Sequence, residues 1–292
     1  MEIRKAERKK AKLRLGIAAP SGAGKTYSAL LLAFGLGGKV GLIDTEHGSG
    51  DLYAHLGDYD IIGIEAPYTV AKYTQAIKAF EQAGYNTVII DSLSHAWSGD
   101  GGLLDKQGKM ADRGTNSFAA WRTITPEHNA LVDAMLSSPC HIIATMRAKQ
   151  EYVLETNAKG KQEPKKVGMA PVQREGMEYE FTVMLDVDMN HIASASKDRT
   201  SLFDGQYMKI TPDTGKMLLT WLETGAEVPR YDEQTLNGYN DAMIECESLD
   251  SLKEAFTVAY TYAKSFKNVD AMTASTSIYN GKKAELTETE GA

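Results

Sequence analysis

Residues 19–26 read Ala19-Pro-Ser-Gly-Ala-Gly-Lys-Thr26, directly after the β-type run LRLGIA (13–18) and at the start of a helical pattern, Lys25–Phe34. A strand, a glycine-rich turn, Lys-Thr and a helix in that order form a phosphate-binding loop, or P-loop. Small residues let successive backbone N–H groups curl around a phosphate chain, and the helix N-terminus adds its positive dipole end. Ala19, Pro20, Ser21, Gly22, Ala23 and Gly24 are therefore the expected cradle. Lys25 is expected to reach the β- and γ-phosphates, and Thr26 to place a hydroxyl on Mg²⁺. Ala19 stands where many such loops begin with Gly, a minor departure.

Working outward, further β-type runs follow at KVGLID (39–44), YDIIGIE (59–65), NTVIID (86–91) and CHIIATM (140–146), with helical patterns at Val70–Gly84 and Trp121–Leu136 between them. Apolar strands separated by helices indicate an α/β fold, a mostly parallel central sheet flanked by helices. Glu151–Glu155, Tyr179–Asp188 and His191–Ala195 read as later, antiparallel edge strands around a polar, Lys-rich loop at 157–170. Past Gly225–Pro229 the pattern becomes helical: Asp232–Cys246, Ser248–Phe266 with Ser248-Leu-Asp-Ser as its capping segment, and Val269–Leu286, with ELTETEGA frayed at the end. The expected organisation is a basic N-terminal segment (1–12), an ATPase-type core (13–224) and a small acidic helical C-terminal module (230–292).

Composition bounds the function. The chain has 292 residues, 42% of them hydrophobic and 24% charged, an ordinary globular balance. Its longest apolar run, Ala29 to Gly38, is too short for a membrane helix, which needs about 20 residues. Two cysteines make no disulfide framework or metal spacing, so the expected compartment is reducing and cytoplasmic. A net charge of −7 argues against a wholly basic nucleic-acid coat, yet residues 1–14 carry seven Lys/Arg against two Glu, and residues 147–175 seven against four. Either stretch could hold a polyanion locally, or be solvated surface.

Two acidic elements complete the P-loop. Thr87-Val-Ile-Ile-Asp91-Ser92 is an apolar strand closed by an Asp, whose carboxylate would hold the Mg²⁺ water shell opposite Thr26. Gly41-Leu-Ile-Asp44-Thr-Glu46-His47 puts acids at a strand's C-terminal end, where parallel sheets bind ligands. Glu46 could polarise a water as a general base, or be a loop acid; His47 reads as structural.

The Ile43-Asp44-Thr-Glu46-His47 segment, with Asp91-Ser92 closing the next apolar strand, resembles RecA-type recombinases. The resemblance implies ATP as the nucleotide, Mg²⁺ as its cation, Glu46 as the catalytic glutamate, and Tyr53, seven residues on, as the residue that stacks on adenine. Tyr53 could equally be an ordinary buried or surface aromatic. The chain is most similar to phage single-strand annealing proteins of the Sak type, minimal RecA cores, over residues 13–205. The carrying segments are Ser117-Phe-Ala-Ala-Trp121, Thr145-Met-Arg147-Ala-Lys149 with Glu151-Tyr152, Gln173-Arg-Glu-Gly176 with Tyr179-Glu-Phe181, and Ser196-Lys-Asp-Arg199.

That resemblance implies head-to-tail homo-oligomers, rings or filaments, in which Lys197 and Arg199 reach a neighbour's γ-phosphate; otherwise they are an exposed basic pair. It also implies single-stranded DNA as the ligand, met by the segments Ser94–Trp121 and Met146–Arg174, both read as long loops. In the second, Arg147, Lys149, Lys159, Lys161, Lys165 and Lys166 are the expected phosphate contacts; in the first, Trp121 reads as core. The expected function is ATP-binding and ATP-hydrolysing promotion of phage recombination by strand annealing or exchange, with a single-strand DNA-binding protein as a further candidate partner. A RecA-fold motor, either a ring helicase or a packaging ATPase, and an ATP-gated adaptor are the alternatives.

Overall fold

The computed structural model describes residues 5–156, 162–226, 231–266 and 268–290, with side chains outside 150–168 and 288–290. The chain divides into two compact units, residues 1–226 and 227–292.

The first unit is built on one sheet. Its strands are β1 (Arg14–Ala19), β2 (Val40–Asp44), β3 (Asp60–Gly63), β4 (Thr87–Asp91), β5 (His141–Thr156), β6 (Gln162–Pro171), β7 (Val183–Val187), β8 (Ala193–Asp198) and β9 (Tyr207–Met208). The order is β3-β2-β4-β5-β1-β7-β8-β9, with β6 pairing the far end of β5. The strands from β3 to β7 in that order pair in parallel, and β8 and β9 add antiparallel edges. The five expected parallel strands are all present. Their registers align Asp44 with Asp91 and Ala19 with Arg147, so the C-terminal ends open on one crevice.

Alternate residues supply two cores, as the period-two geometry of a strand requires. Leu15, Ile17, Leu42, Ile89 and Ile143 face one side, with α1 (Lys25–Leu36) and α6 (Pro212–Glu223). Ile43, Val88, Ile90, Ile142 and Ala144 face the other, with α2 (Val70–Gln82), α3 (Leu93–Ser98), α4 (Leu103–Asp112) and α5 (Ser117–Ser137). Helices α1 and α6 touch through glycine: a Cβ on Gly35 would lie 2.0 Å from the Pro212 carbonyl oxygen.

In both long segments read as loops, the described residues form regular elements. Ser94–Trp121 holds most of α3, all of α4 and the start of α5, where the Asn116 side chain accepts from the Phe118 N–H at 2.8 Å. Trp121 stacks on Trp97 with centroids 5.7 Å apart and packs on the core, as expected. Met146–Arg174 is largely a β-hairpin: β5 runs on past the sheet and β6 returns antiparallel, with a bulge at Glu151/Tyr152. The segment expected as one long antiparallel edge strand at Tyr179–Asp188 is a short 3-10 turn, Met177–Glu180, and then β7, which pairs parallel with β1 instead. Strand β8 begins at Ala193 rather than His191, because His191 has φ 62 and closes a turn.

The basic N-terminus is partly spent on the fold. Arg14 is buried, and its guanidinium donates to the carbonyls of Leu13 (2.8 Å), Cys140 (2.7 Å), Leu136 (3.0 Å) and Ser138, which ties β1 to the end of α5. Burial brings its pKa down to about 10. Arg8 lies over the Trp221 ring at 4.1 Å and donates to the Trp221 carbonyl.

The second unit is three helices, α7 (Glu233–Ile244), α8 (Leu249–Ser265) and α9 (Val269–Glu290), around Leu236, Met243, Leu252, Ala259 and Ala263. Ser248 caps α8 by accepting from the Ser251 N–H at 3.2 Å. Helix α9 continues through Glu290, so residues 285–290 are helical rather than frayed. Among the described residues, no helix is long and apolar enough to cross a membrane.

Candidate nucleotide site

The loop after β1 turns on two glycines. Gly22 has φ 83 and Gly24 has φ 86, left-handed values that a side chain rarely adopts. Helix α1 starts at Lys25, so its free N–H groups face the cradle. The Lys25 ammonium donates to the Pro20 carbonyl at 3.3 Å. Burial lowers its pKa, against the opposing charges of Asp91 and Glu46. The Thr26 hydroxyl donates to one carboxylate oxygen of Asp91, and the Thr145 hydroxyl to the other. Asp91 is only 1% exposed, and burial pushes its carboxyl up despite those two hydrogen bonds.

These residues fit Mg²⁺ and a phosphate chain. A hydroxyl and a carboxylate side by side are hard oxygen donors, and Mg²⁺ usually takes one or two protein groups and fills its shell from water and phosphate. Among the described residues, no group of three or more His, Cys, Asp or Glu is placed to hold a metal.

Glu46 is aimed by Asp44, whose carboxylate accepts the N–H of Glu46 at 2.6 Å and that of Gly50 at 3.1 Å. Its own carboxylate meets Arg147 in a two-point pair, Nε to Oε1 at 3.1 Å and Nη2 to Oε2 at 2.6 Å. Burial works against the Glu46 charge, but the Arg147 hydrogen bonds and charge, with His95 and Lys25, hold its carboxyl below the ordinary range. His95 in turn touches the Thr45 hydroxyl at 2.7 Å and stacks on Tyr68. Arg147, expected as a DNA contact, faces Glu46 in this structure. If Glu46 must be ionised to act, activity is lost as pH falls through its depressed pKa. Arg147→Met removes the depressing partner and leaves the burial, so the acidic limb of kcat/KM should move to higher pH. A limb at its original position in a pH–rate profile would show that Glu46 is not the titrating group.

A cavity of about 440 Å³, within the usual size range of small-molecule sites, opens beside the loop, lined by Gly22, Gly24, Tyr27, Tyr53, His191 and Lys209 among others. Tyr53 therefore lies beside the P-loop, edge-on to Tyr27 at 6.1 Å. The sequence reading missed Tyr27, although it directly follows Thr26. It also missed His191 and Lys209, which arrive from the distant antiparallel edge without any local motif.

Lys197, on β8, and Arg199, just past it, both meet the Tyr179 carbonyl of their own chain. Lys197 donates to the carbonyls of Glu178 (3.0 Å) and Tyr179 (2.6 Å), and Arg199 to that of Tyr179 (3.2 Å). Strand β8 is separated from β1 by β7. Of the remaining candidate DNA contacts, Lys149 is exposed at the base of the hairpin. Lys159 and Lys161 lie outside the described residues; Lys165 and Lys166 lie on β6, with side chains outside the description.

A family model described as an AAA domain matches residues 11–220. No curated protein matches the chain.

Proposed function

Because the chain belongs to the AAA domain family, and so carries a P-loop ATPase domain, we propose that it is a RecA-like single-stranded DNA-binding ATPase. It acts in phage recombination by strand annealing or exchange, as a head-to-tail assembly of copies. One observation carries the DNA reading. Strand β5 runs unbroken from the sheet's centre into the hairpin, and at the junction Arg147 pairs with Glu46. A basic hairpin is therefore covalently continuous with the catalytic crevice.

Bound Mg²⁺-ATP would supply the phosphoryl group and a cation that neutralises its charge. Lys25 and the N–H groups of Gly22, Gly24, Lys25 and Thr26 bind the phosphates. Thr26 and Asp91 hold the metal and its water. Glu46 takes a proton from water at its carboxylate, which has lone pairs beyond those used by Arg147. Tyr53 packs the base. In an assembly, Lys197 and Arg199 exchange backbone carbonyls for a neighbour's phosphate, a role worth about 10³–10⁵ in turnover where such cations act in trans.

Complementary labelled strands and a forked duplex test the reading. Annealing without unwinding supports it; unwinding would replace it with a motor, and ATP binding without DNA affinity with an adaptor. Binding to oligo-dT should also weaken with salt. Changing Lys159, Lys161, Lys165 and Lys166 to Ala should flatten the log–log salt slope by up to about 3, at about 0.7 per phosphate contact, and weaken all sequences alike. Wild-type affinity and slope in that variant, measured by fluorescence anisotropy, would remove the hairpin from the DNA site.

A further inference from the structure

We propose that His191 is a positioning residue for the phosphate cradle, holding the Ala23–Gly24 peptide so that the Gly24 N–H faces the bound phosphates. The inference rests on the P-loop reading and adds a residue that no P-loop motif contains.

His191 closes the turn between β7 and β8. The Asp188 carboxylate accepts the N–H groups of Asn190 and Ile192, each at 2.9 Å, and the Asp188 carbonyl accepts the His191 N–H at 3.0 Å. That turn fixes His191 at φ 62 and sends its ring across to the P-loop, where Nδ1 lies 3.1 Å from the Ala23 carbonyl oxygen. A carbonyl only accepts, so Nδ1 carries the proton.

A trans peptide is planar, with its C=O and N–H on opposite sides. Drawing the Ala23 carbonyl toward His191 therefore turns the Gly24 N–H the other way. Gly24, one of the two residues flanking that peptide plane, leaves it freer to rotate unless something restrains it. Elsewhere in the loop, the Ala23 N–H is turned onto the Pro20 carbonyl at 3.3 Å. A Cβ on Gly24 would stand 3.4 Å from Nδ1, in van der Waals contact with the ring. His191 lines the cavity beside Tyr27 and Tyr53 as well, so a contact to the base is the rival role.

Two variants of the full chain separate the roles. Glycine accepts a positive φ, so His191→Gly keeps the turn and removes the ring. Asparagine also tolerates that conformation, and its side-chain amide nitrogen occupies roughly the place of Nδ1, so His191→Asn restores the donor. Calorimetric titration with inorganic pyrophosphate, ADP and adenosine provides the readout. His191→Gly should lose roughly tenfold in affinity for pyrophosphate and ADP, about the worth of one oriented hydrogen bond, and keep wild-type affinity for adenosine. His191→Asn should recover most of the loss. Unchanged pyrophosphate affinity in His191→Gly, an equal loss for adenosine, or no recovery in His191→Asn would each overturn the proposal. Lys25→Ala distinguishes its failure from that of the P-loop reading: if that variant binds pyrophosphate like wild type, the loop is not a phosphate site, and the inference falls with it.

Discussion

Lys25→Ala should lose ATP turnover by at least about 10²–10³-fold, the usual effect of removing one preorganised charge at a reacting phosphate or oxyanion, while the fold survives. The ammonium interacts with the charges of Asp91 and Glu46, and burial has lowered its pKa, so part of its hydration has already been given up. That arrangement strengthens its field on a phosphate. It contributes little to folding, because its hydrogen bond at 3.3 Å is to the Pro20 carbonyl of its own loop. The thermal midpoint should therefore stay within about 2–4 °C of wild type, the shift that about 1 kcal/mol produces in a chain of this size. Purified Lys25→Ala protein with wild-type turnover would remove the P-loop from the chemistry. Lost turnover with a collapsed midpoint would show that Lys25 is structural.

Glu46→Gln is the second large effect. The amide keeps the shape of the side chain but cannot accept a proton at neutral pH, so turnover should fall about 10²–10⁴-fold with ATP binding retained. The variant also weakens the pair with Arg147, whose side chains are 48% and 25% exposed for Arg147 and Glu46. Pairs exposed to that degree contribute at most about 1 kcal/mol, and the amide oxygen still accepts one guanidinium hydrogen bond, so the protein should remain folded. Single-turnover hydrolysis beside equilibrium ATP binding separates the two effects. Wild-type hydrolysis in Glu46→Gln would move the base elsewhere in the crevice.

Five of the parallel strands, β1 to β5, were legible because each is an apolar run with a turn signal at its end, and because a buried parallel strand needs that composition on both faces. Lys25, Thr26, Asp91 and Glu46 were legible for a related reason: each stands at or just past the C-terminal end of such a strand. What could not be read depends on pairing across the chain. Strand β6, QEPKKVGMAP, pairs β5 and shows no alternation of apolar and polar residues, so it passed for a loop. Helix α4, LLDKQGKMAD, buries only Leu103, and Gly108 weakens its pattern. Arg147 and Glu46 are 101 residues apart, and His191 and Ala23 are 168 apart; neither contact leaves a trace in local spacing. The charge count placed Arg14 with the surface cations, whereas four backbone carbonyls claim it inside the fold.

The most direct measurement of the link between the crevice and the hairpin is steady-state ATP turnover by the full chain, with Mg²⁺ saturating and oligo-dT titrated in. Turnover that rises with oligo-dT, saturates, and disappears in Lys25→Ala is the expected result. Turnover indifferent to oligo-dT, from a chain that shows no affinity for the strand by anisotropy at low salt, would contradict it.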